Sequence, residues 1–79
     1  MQYSEKDLPI QLHHGETLSM SDGTTIRFES NGEAKDIMVN DGFAPAVSLF
    51  PGNDYDLDCC GRMMRCSALF EDCLEVKWI

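Results

Sequence analysis

Short, evenly spaced turn sequences divide this chain and restrict what it can fold into. Each one places glycine next to asparagine, aspartate or serine, residues that accept the backbone conformations of tight turns. Turns at intervals of about 8–12 residues are typical of short strands joined one after another. The strongest turn sequences are Ser21-Asp22-Gly23, Ser30-Asn31-Gly32, Asn40-Asp41-Gly42 and Pro51-Gly52-Asn53-Asp54.

Between the turns, apolar and polar residues alternate, as they do in strands with one buried and one solvated face. Ile26 and Phe28, for example, alternate with Arg27 and Glu29. The sequence therefore predicts an all-β fold, a small antiparallel meander that forms a barrel or a sandwich-like single domain. The apolar positions of the alternating segments are Leu18, Met20, Ile26, Phe28, Ile37, Val39, Val47, Leu49, Tyr55, Leu57, Cys59, Leu74, Val76 and Trp78.

One segment near the end of the chain fits two structures. A pair of strands there would need a turn at Glu71-Asp72, which has no glycine. A mostly β fold with one short helix near 62–73 therefore stays open as an alternative. The apolar residues that also have helical spacing are Met63, Cys66, Leu69, Phe70, Cys73 and Leu74.

The length of 79 residues predicts one domain over 1–79, with 1–8 as a loose N-terminal arm. A hydrophobic fraction of 43% is too high for intrinsic disorder, and no apolar run approaches the ~18–20 residues of a membrane span. The first residues are polar and acidic, without the basic and apolar regions of a secretory signal. We therefore expect a cytoplasmic protein with no membrane partner.

Charge is the main evidence on partners. Fourteen acidic residues oppose six basic ones, for a net charge of −8, and the acids run from Glu5 to Glu75 rather than forming a tail. A surface this negative repels nucleic acid and membranes and attracts basic proteins. We expect no direct nucleic-acid binding and a basic protein partner, itself a nucleic-acid-binding protein or complex.

The densest acidic segment is Asp54-Tyr55-Asp56-Leu57-Asp58. It begins like a calcium-binding loop, but Cys59 stands where that loop needs glycine and Arg65 where it needs glutamate. In a strand, its three carboxylates would share one face at a spacing of about 6.6 Å. Two steps of a B-DNA strand advance by about 6.8 Å, so the row could meet a groove built for phosphates. A solvated strand face is the simpler interpretation.

The candidate partner-binding residues follow from this acidic pattern. The first three belong to the row, and the others are further acids at predicted turns. The set is Asp54, Asp56, Asp58, Glu71, Asp72, Asp22 and Asp41.

The cysteines and histidines do not form a recognisable site. Cys59, Cys60, Cys66 and Cys73 have spacings that match no zinc motif, and neighbouring strand residues point to opposite faces. His13-His14 has no partner nucleophile that the sequence requires to lie nearby. The glycines have hairpin spacing rather than that of a phosphate-binding loop. We therefore predict no catalytic residues, no metal and no cofactor.

These features predict a small acidic non-enzymatic binding protein. The sharpest hypothesis is an inhibitor from a mobile element such as a phage, which occupies the basic nucleic-acid site of a host defence protein as an anti-CRISPR or anti-restriction charge mimic. One alternative is a general protein–protein interaction module or accessory subunit. A further alternative is a zinc- or redox-responsive domain built on the cysteines. An exposed sheet edge and a small core also suit a homodimer.

Overall fold

Nine β-strands and one short 3-10 helix make up the described part of the chain in the computed structural model, which covers residues 2–40, 42, 44–59, 61–69 and 72–79. The 3-10 helix spans Glu5–Asp7. The prediction of an all-β fold is confirmed. In chain order the strands are β1 (Gln2–Ser4), β2 (Ile10–His13), β3 (Thr17–Ser19), β4 (Thr25–Asn31), β5 (Ala34–Val39), β6 (Val47–Leu49), β7 (Asp54–Cys59), β8 (Arg62–Ala68) and β9 (Cys73–Trp78).

The strands form two sheets that pack face to face. Sheet 1 has the order β1-β3-β4-β5-β6, and sheet 2 has the order β2-β9-β8-β7. One buried cluster contains Phe28 and Ile37 of sheet 1 together with Leu12, Met64 and Val76 of sheet 2. The arrangement is therefore the sandwich-like form of the prediction, and the sheets do not close into a barrel.

The order of the strands is more complex than a simple meander. Strands β3 to β6 and strands β7 to β9 each form an antiparallel meander, as predicted. Strand β1, however, pairs in parallel with β3, and the intervening β2 crosses to sheet 2, where it pairs with β9. The chain crosses between sheets again from β6 to β7.

The N-terminal segment is built into the fold, which differs from the predicted loose arm over 1–8. Tyr3 lies opposite Leu18 in the pairing of β1 with β3, and it packs against the core. Glu5 accepts a hydrogen bond from the Ser21 N–H at 2.6 Å. The arm prediction rested on polarity, but strand pairing uses backbone N–H and C=O groups, and every residue of this proline-free segment carries both.

The alternative of a helix near 62–73 is wrong. The described part of this segment forms β8 and the start of β9, and burial follows period two: Met64 and Cys66 are buried, while Met63 is exposed. The turn between the strands needs no glycine, because Asp72 itself takes a left-handed conformation with φ of 58°. Aspartate is one of the few other residues that accept this conformation readily.

No helix in the described ranges is long and apolar enough to cross a membrane.

Candidate partner-binding surface

Strand β7 presents the predicted acidic row. Asp54, Asp56 and Asp58 are exposed, while the alternate residues Tyr55 and Leu57 pack against the core. The alternation of a strand therefore places the three carboxylates together on the outer face of sheet 2. Because β7 ends the strand order of that sheet, the row follows the margin of the sandwich.

Arg65 engages the middle carboxylate of the row. It lies opposite Asp56 in the pairing of β7 with β8, and its guanidinium donates to both carboxylate oxygens at 2.8 and 3.1 Å. This hydrogen bonding holds the pKa of Asp56 below its usual range, and the same contact raises the pKa of Arg65. Sequence reasoning missed this pair because only the strand register brings the two residues together.

The two outer carboxylates of the row are left without such a cation. Asp54 lies opposite Ser67, and Asp58 lies opposite Met63. Within the described ranges, neither side chain makes an ion pair or a hydrogen bond. The other cation on this face, Lys77, lies 3.6 Å from Glu75. Each end of β7 therefore carries a carboxylate without an ion-pair partner in the described ranges, although the charge of Asp54 also helps to raise the pKa of Arg65.

Asp72 has a structural position that separates it from this row. Its carboxylate, on the turn before β9, accepts hydrogen bonds from Lys35 Nζ and Ser30 Oγ, both on sheet 1. The side chain of Lys35 is only 6% exposed, whereas that of Asp72 is 60% exposed. The Lys35 ammonium, and secondly the Ser30 hydroxyl, lower the pKa of Asp72. Asp72 is thus the counter-ion of a buried lysine and joins the two sheets.

Asp22 is the remaining candidate among the described residues, and it lies outside β7. Asp22, in the turn between β3 and β4, accepts a hydrogen bond from the Thr24 N–H at 2.9 Å. Its carboxylate oxygens also lie 3.8 and 3.9 Å from Cys59 Sγ at the end of β7. Two predicted site residues, Glu71 and Asp41, lie outside the described residues.

Both histidines have local partners. The carboxylate of Glu16 accepts from the His13 N–H at 2.7 Å, and this contact is the main cause that lowers the pKa of Glu16. The Ser30 N–H donates to His14 Nδ1 at 2.9 Å, which ties the loop after β2 to β4. Each histidine thus stabilises a turn or a sheet contact.

Cys59, Cys66 and Cys73 are buried and form no disulfide bond with one another, and Cys60 lies outside the described residues. Burial, and secondly the charge of Asp56, raise the pKa of Cys66 to about 12. Only the thiolate is a good nucleophile and metal ligand, so this thiol is inert near neutral pH. Among the residues placed by the structure, no three histidines, cysteines or acids are grouped to hold a metal ion.

No protein-family model matches this chain, and no curated protein or solved structure matches it either. The functional argument therefore comes from the surface itself.

We expect Asp72→Asn to lower the melting temperature more than Lys35→Met. Asparagine accepts the left-handed backbone at position 72, so the first variant removes mainly the charge. It leaves the buried Lys35 ammonium without its counter-ion, so we expect a clear fall in melting temperature. Methionine at position 35 removes the buried charge and keeps most of the volume, so its effect is small.

Thermal unfolding followed by circular dichroism tests this order. A group whose pKa is lowered by folding stabilises the protein above its ordinary pKa, and this contribution is lost as the pH falls through the lowered value. The difference in melting temperature between wild type and Asp72→Asn should therefore be large at pH 7 and shrink as the pH falls below the ordinary pKa of an aspartate. A larger loss with Lys35→Met at pH 7 would contradict the structural role of the pair.

The three described thiols are expected to resist iodoacetamide in the native protein at pH 8. Their burial blocks the reagent, and the raised pKa of Cys66 keeps its thiol protonated. Mass spectrometry of peptides should find Cys59, Cys66 and Cys73 alkylated only after unfolding in guanidinium. Rapid native labelling of any of them would instead favour the redox-responsive alternative.

Proposed function

We propose that this chain is a small acidic binding protein that inhibits a nucleic-acid-binding host defence protein, of the restriction or CRISPR type. The outer face of β7 would occupy the basic site that normally holds the phosphate backbone. One observation carries this proposal: Asp54 and Asp58 are exposed carboxylates without an ion-paired cation among the described residues, in line with Asp56, on the margin of a molecule with net charge −8.

The geometry of the row supports binding to a site built for phosphates. The three carboxylates repeat every second residue, at about 6.6 Å, along a strand whose inner face is fixed by Tyr55 and Leu57. Arg65 also restrains Asp56 through two hydrogen bonds. Charges that are already in position lose little conformational entropy on binding, so more of the electrostatic attraction appears as affinity.

The wider charge distribution supports the same partner. A net charge of −8 raises the rate of encounter with a basic groove and opposes contact with the nucleic acid itself. Occupying the groove is enough to inhibit, so the proposal requires no catalytic group. Defence proteins of this kind act on nucleic acid inside the cell, and we propose the cytoplasm as the compartment.

A general protein–protein interaction module is the second candidate, and a specific observation favours it. Met63 is 45% exposed and lies directly opposite Asp58 at one end of the row. The Ile79 N–H donates to the Met63 carbonyl, and the Ile79 side chain is 60% exposed. This apolar pair would suit a partner that buries hydrophobic surface, whose binding depends little on salt.

The test uses purified restriction endonucleases and CRISPR effector complexes, each assayed for DNA cleavage with and without the chain. We expect inhibition of at least one enzyme. For that enzyme, Asp54→Asn with Asp58→Asn should weaken inhibition about tenfold near 0.05 M salt and by less than about threefold near 0.5 M, where screening shortens the reach of surface charges.

The matched control removes two charges elsewhere. Glu29 lies on the outer face of β4 in sheet 1, where it pairs with Arg27 at 2.9 Å, and Glu33 lies in the turn that follows β4. Glu29→Gln with Glu33→Gln therefore removes the same number of negative charges without touching β7, at the loss of the Arg27 contact. This control should change inhibition by less than about threefold. Equal loss of inhibition in both double variants would show that inhibition depends on the net charge and not on the position of the carboxylates on β7. Absence of inhibition across the whole set would overturn the proposed function.

A further inference from the structure

Strand β7 has an edge that is open in the sense that no strand is hydrogen-bonded to it in the described ranges, although β6 of sheet 1 lies near β7. In sheet 2, β8 is its one strand neighbour among the described residues. A strand at the end of a sheet presents backbone N–H and C=O groups that can pair with another chain. Which residues supply those groups depends on the hydrogen-bond pattern between β7 and β8.

Two hydrogen bonds determine that pattern. The Ala68 N–H donates to the Asn53 carbonyl, so this opposed pair is hydrogen-bonded. The Ile79 N–H donates to the Met63 carbonyl, so Met63 turns its backbone towards β9. Hydrogen-bonded and non-hydrogen-bonded pairs alternate along an antiparallel ladder. Both observations therefore show that Tyr55 and Leu57 bond to β8, while the acidic residues between them do not.

The outward backbone groups of β7 thus belong to Asp54, Asp56 and Asp58. These residues combine two features: their carboxylates lie on the outer face, and their N–H and C=O groups point away from β8. An added antiparallel strand would form hydrogen-bonded pairs with these same three residues. Side chains of directly opposed residues lie on one face with Cβ atoms about 4.5–5.5 Å apart.

We propose that the partner adds a strand to the open edge of β7, and that this strand carries lysine or arginine opposite Asp54 and Asp58 and apolar residues opposite Tyr55 and Leu57. The basic side chains would meet the two carboxylates that have no paired cation. The alternate residues would lie beside Tyr55 and Leu57, which are half-buried at the margin of the core. This inference rests on the proposed function, because it describes how the same row is recognised.

Repulsion between like charges disfavours a second copy of the chain at this edge. Two β7 strands paired with each other would bring aspartates close together on one face, and like charges directly opposed are destabilising. The other strands at the ends of the two sheets, β1, β2 and β6, carry no lysine or arginine. The edge therefore opposes self-association and selects a strand of different sequence.

A synthetic peptide tests strand pairing without the host partner. The probe contains a Lys-Val-Lys-Val-Lys core with neutral flanks and blocked ends. Its binding is measured by titration calorimetry, and amide exchange of the chain is followed by NMR. We expect the backbone amides of Asp54, Asp56 and Asp58 to exchange about tenfold more slowly with saturating peptide, while those of Tyr55 and Leu57 change little, because they already bond to β8.

N-methylation provides a matched pair of controls on the peptide. A methyl group on the central lysine nitrogen removes an N–H that faces β7, and should weaken binding about fivefold or more. The same group on a neighbouring valine nitrogen removes an N–H that faces away, and should have less effect. A peptide of the same composition with its three lysines consecutive should also bind more weakly, because its charges no longer lie on one face.

Three results would overturn strand addition: no binding of the alternating peptide, equal binding of the rearranged peptide, or binding that leaves the three aspartate amides unprotected. These results differ from failure of the proposed function. Suppose that strand addition fails these tests but the Asp54→Asn and Asp58→Asn double variant inhibits a defence enzyme less than wild type does. The acidic row then acts through its side chains alone, and the proposed function stands.

Discussion

The packing of Tyr55, Leu57 and Cys59 towards the core is the constraint on which the acidic surface depends. Because strand residues alternate between two faces, packing these three side chains inward places Asp54, Asp56 and Asp58 outward. The backbone hydrogen bonds of β7 alternate with the same period, so the residues that bond to β8 are those whose side chains face the core. A slip of one residue would bury three carboxylates, which makes this register the strongly favoured one.

Some acidic side chains make contacts that stabilise the fold, and others make none that the structure describes. Asp72 neutralises the buried Lys35, Glu16 caps the turn after β2, and Asp36 accepts a hydrogen bond from Ser48 at 2.6 Å. Asp56 is engaged by Arg65 but stays on the surface. What remains at the margin of sheet 2 is a pair of carboxylates, Asp54 and Asp58, that make no ion pair or hydrogen bond in the described ranges, although the charge of Asp54 helps to raise the pKa of Arg65. Carboxylates that make no stabilising contact within the described part of the chain are the ones available to bind a partner.

Much of the architecture could be predicted from the sequence, because alternation and turn residues are local properties. The strands that contain Ile26, Phe28, Val76 and Trp78 can be predicted from the alternation of apolar and polar residues alone. The parallel pairing of β1 with β3 could not be predicted, since it joins short segments across an intervening strand. The Arg65 contact with Asp56 depends on register, and the Lys35 contact with Asp72 depends on packing between sheets, neither of which the sequence pattern contains.

Hydrogen–deuterium exchange of the chain bound to an inhibited defence protein tests the central claim most directly. If the acidic margin of sheet 2 is the contact surface, complex formation should slow exchange in the segment Asp54–Cys59, with β1 and β2 at the opposite margin unchanged. Protection confined to β1 and β2, with β7 exchanging as in the free protein, would contradict the account.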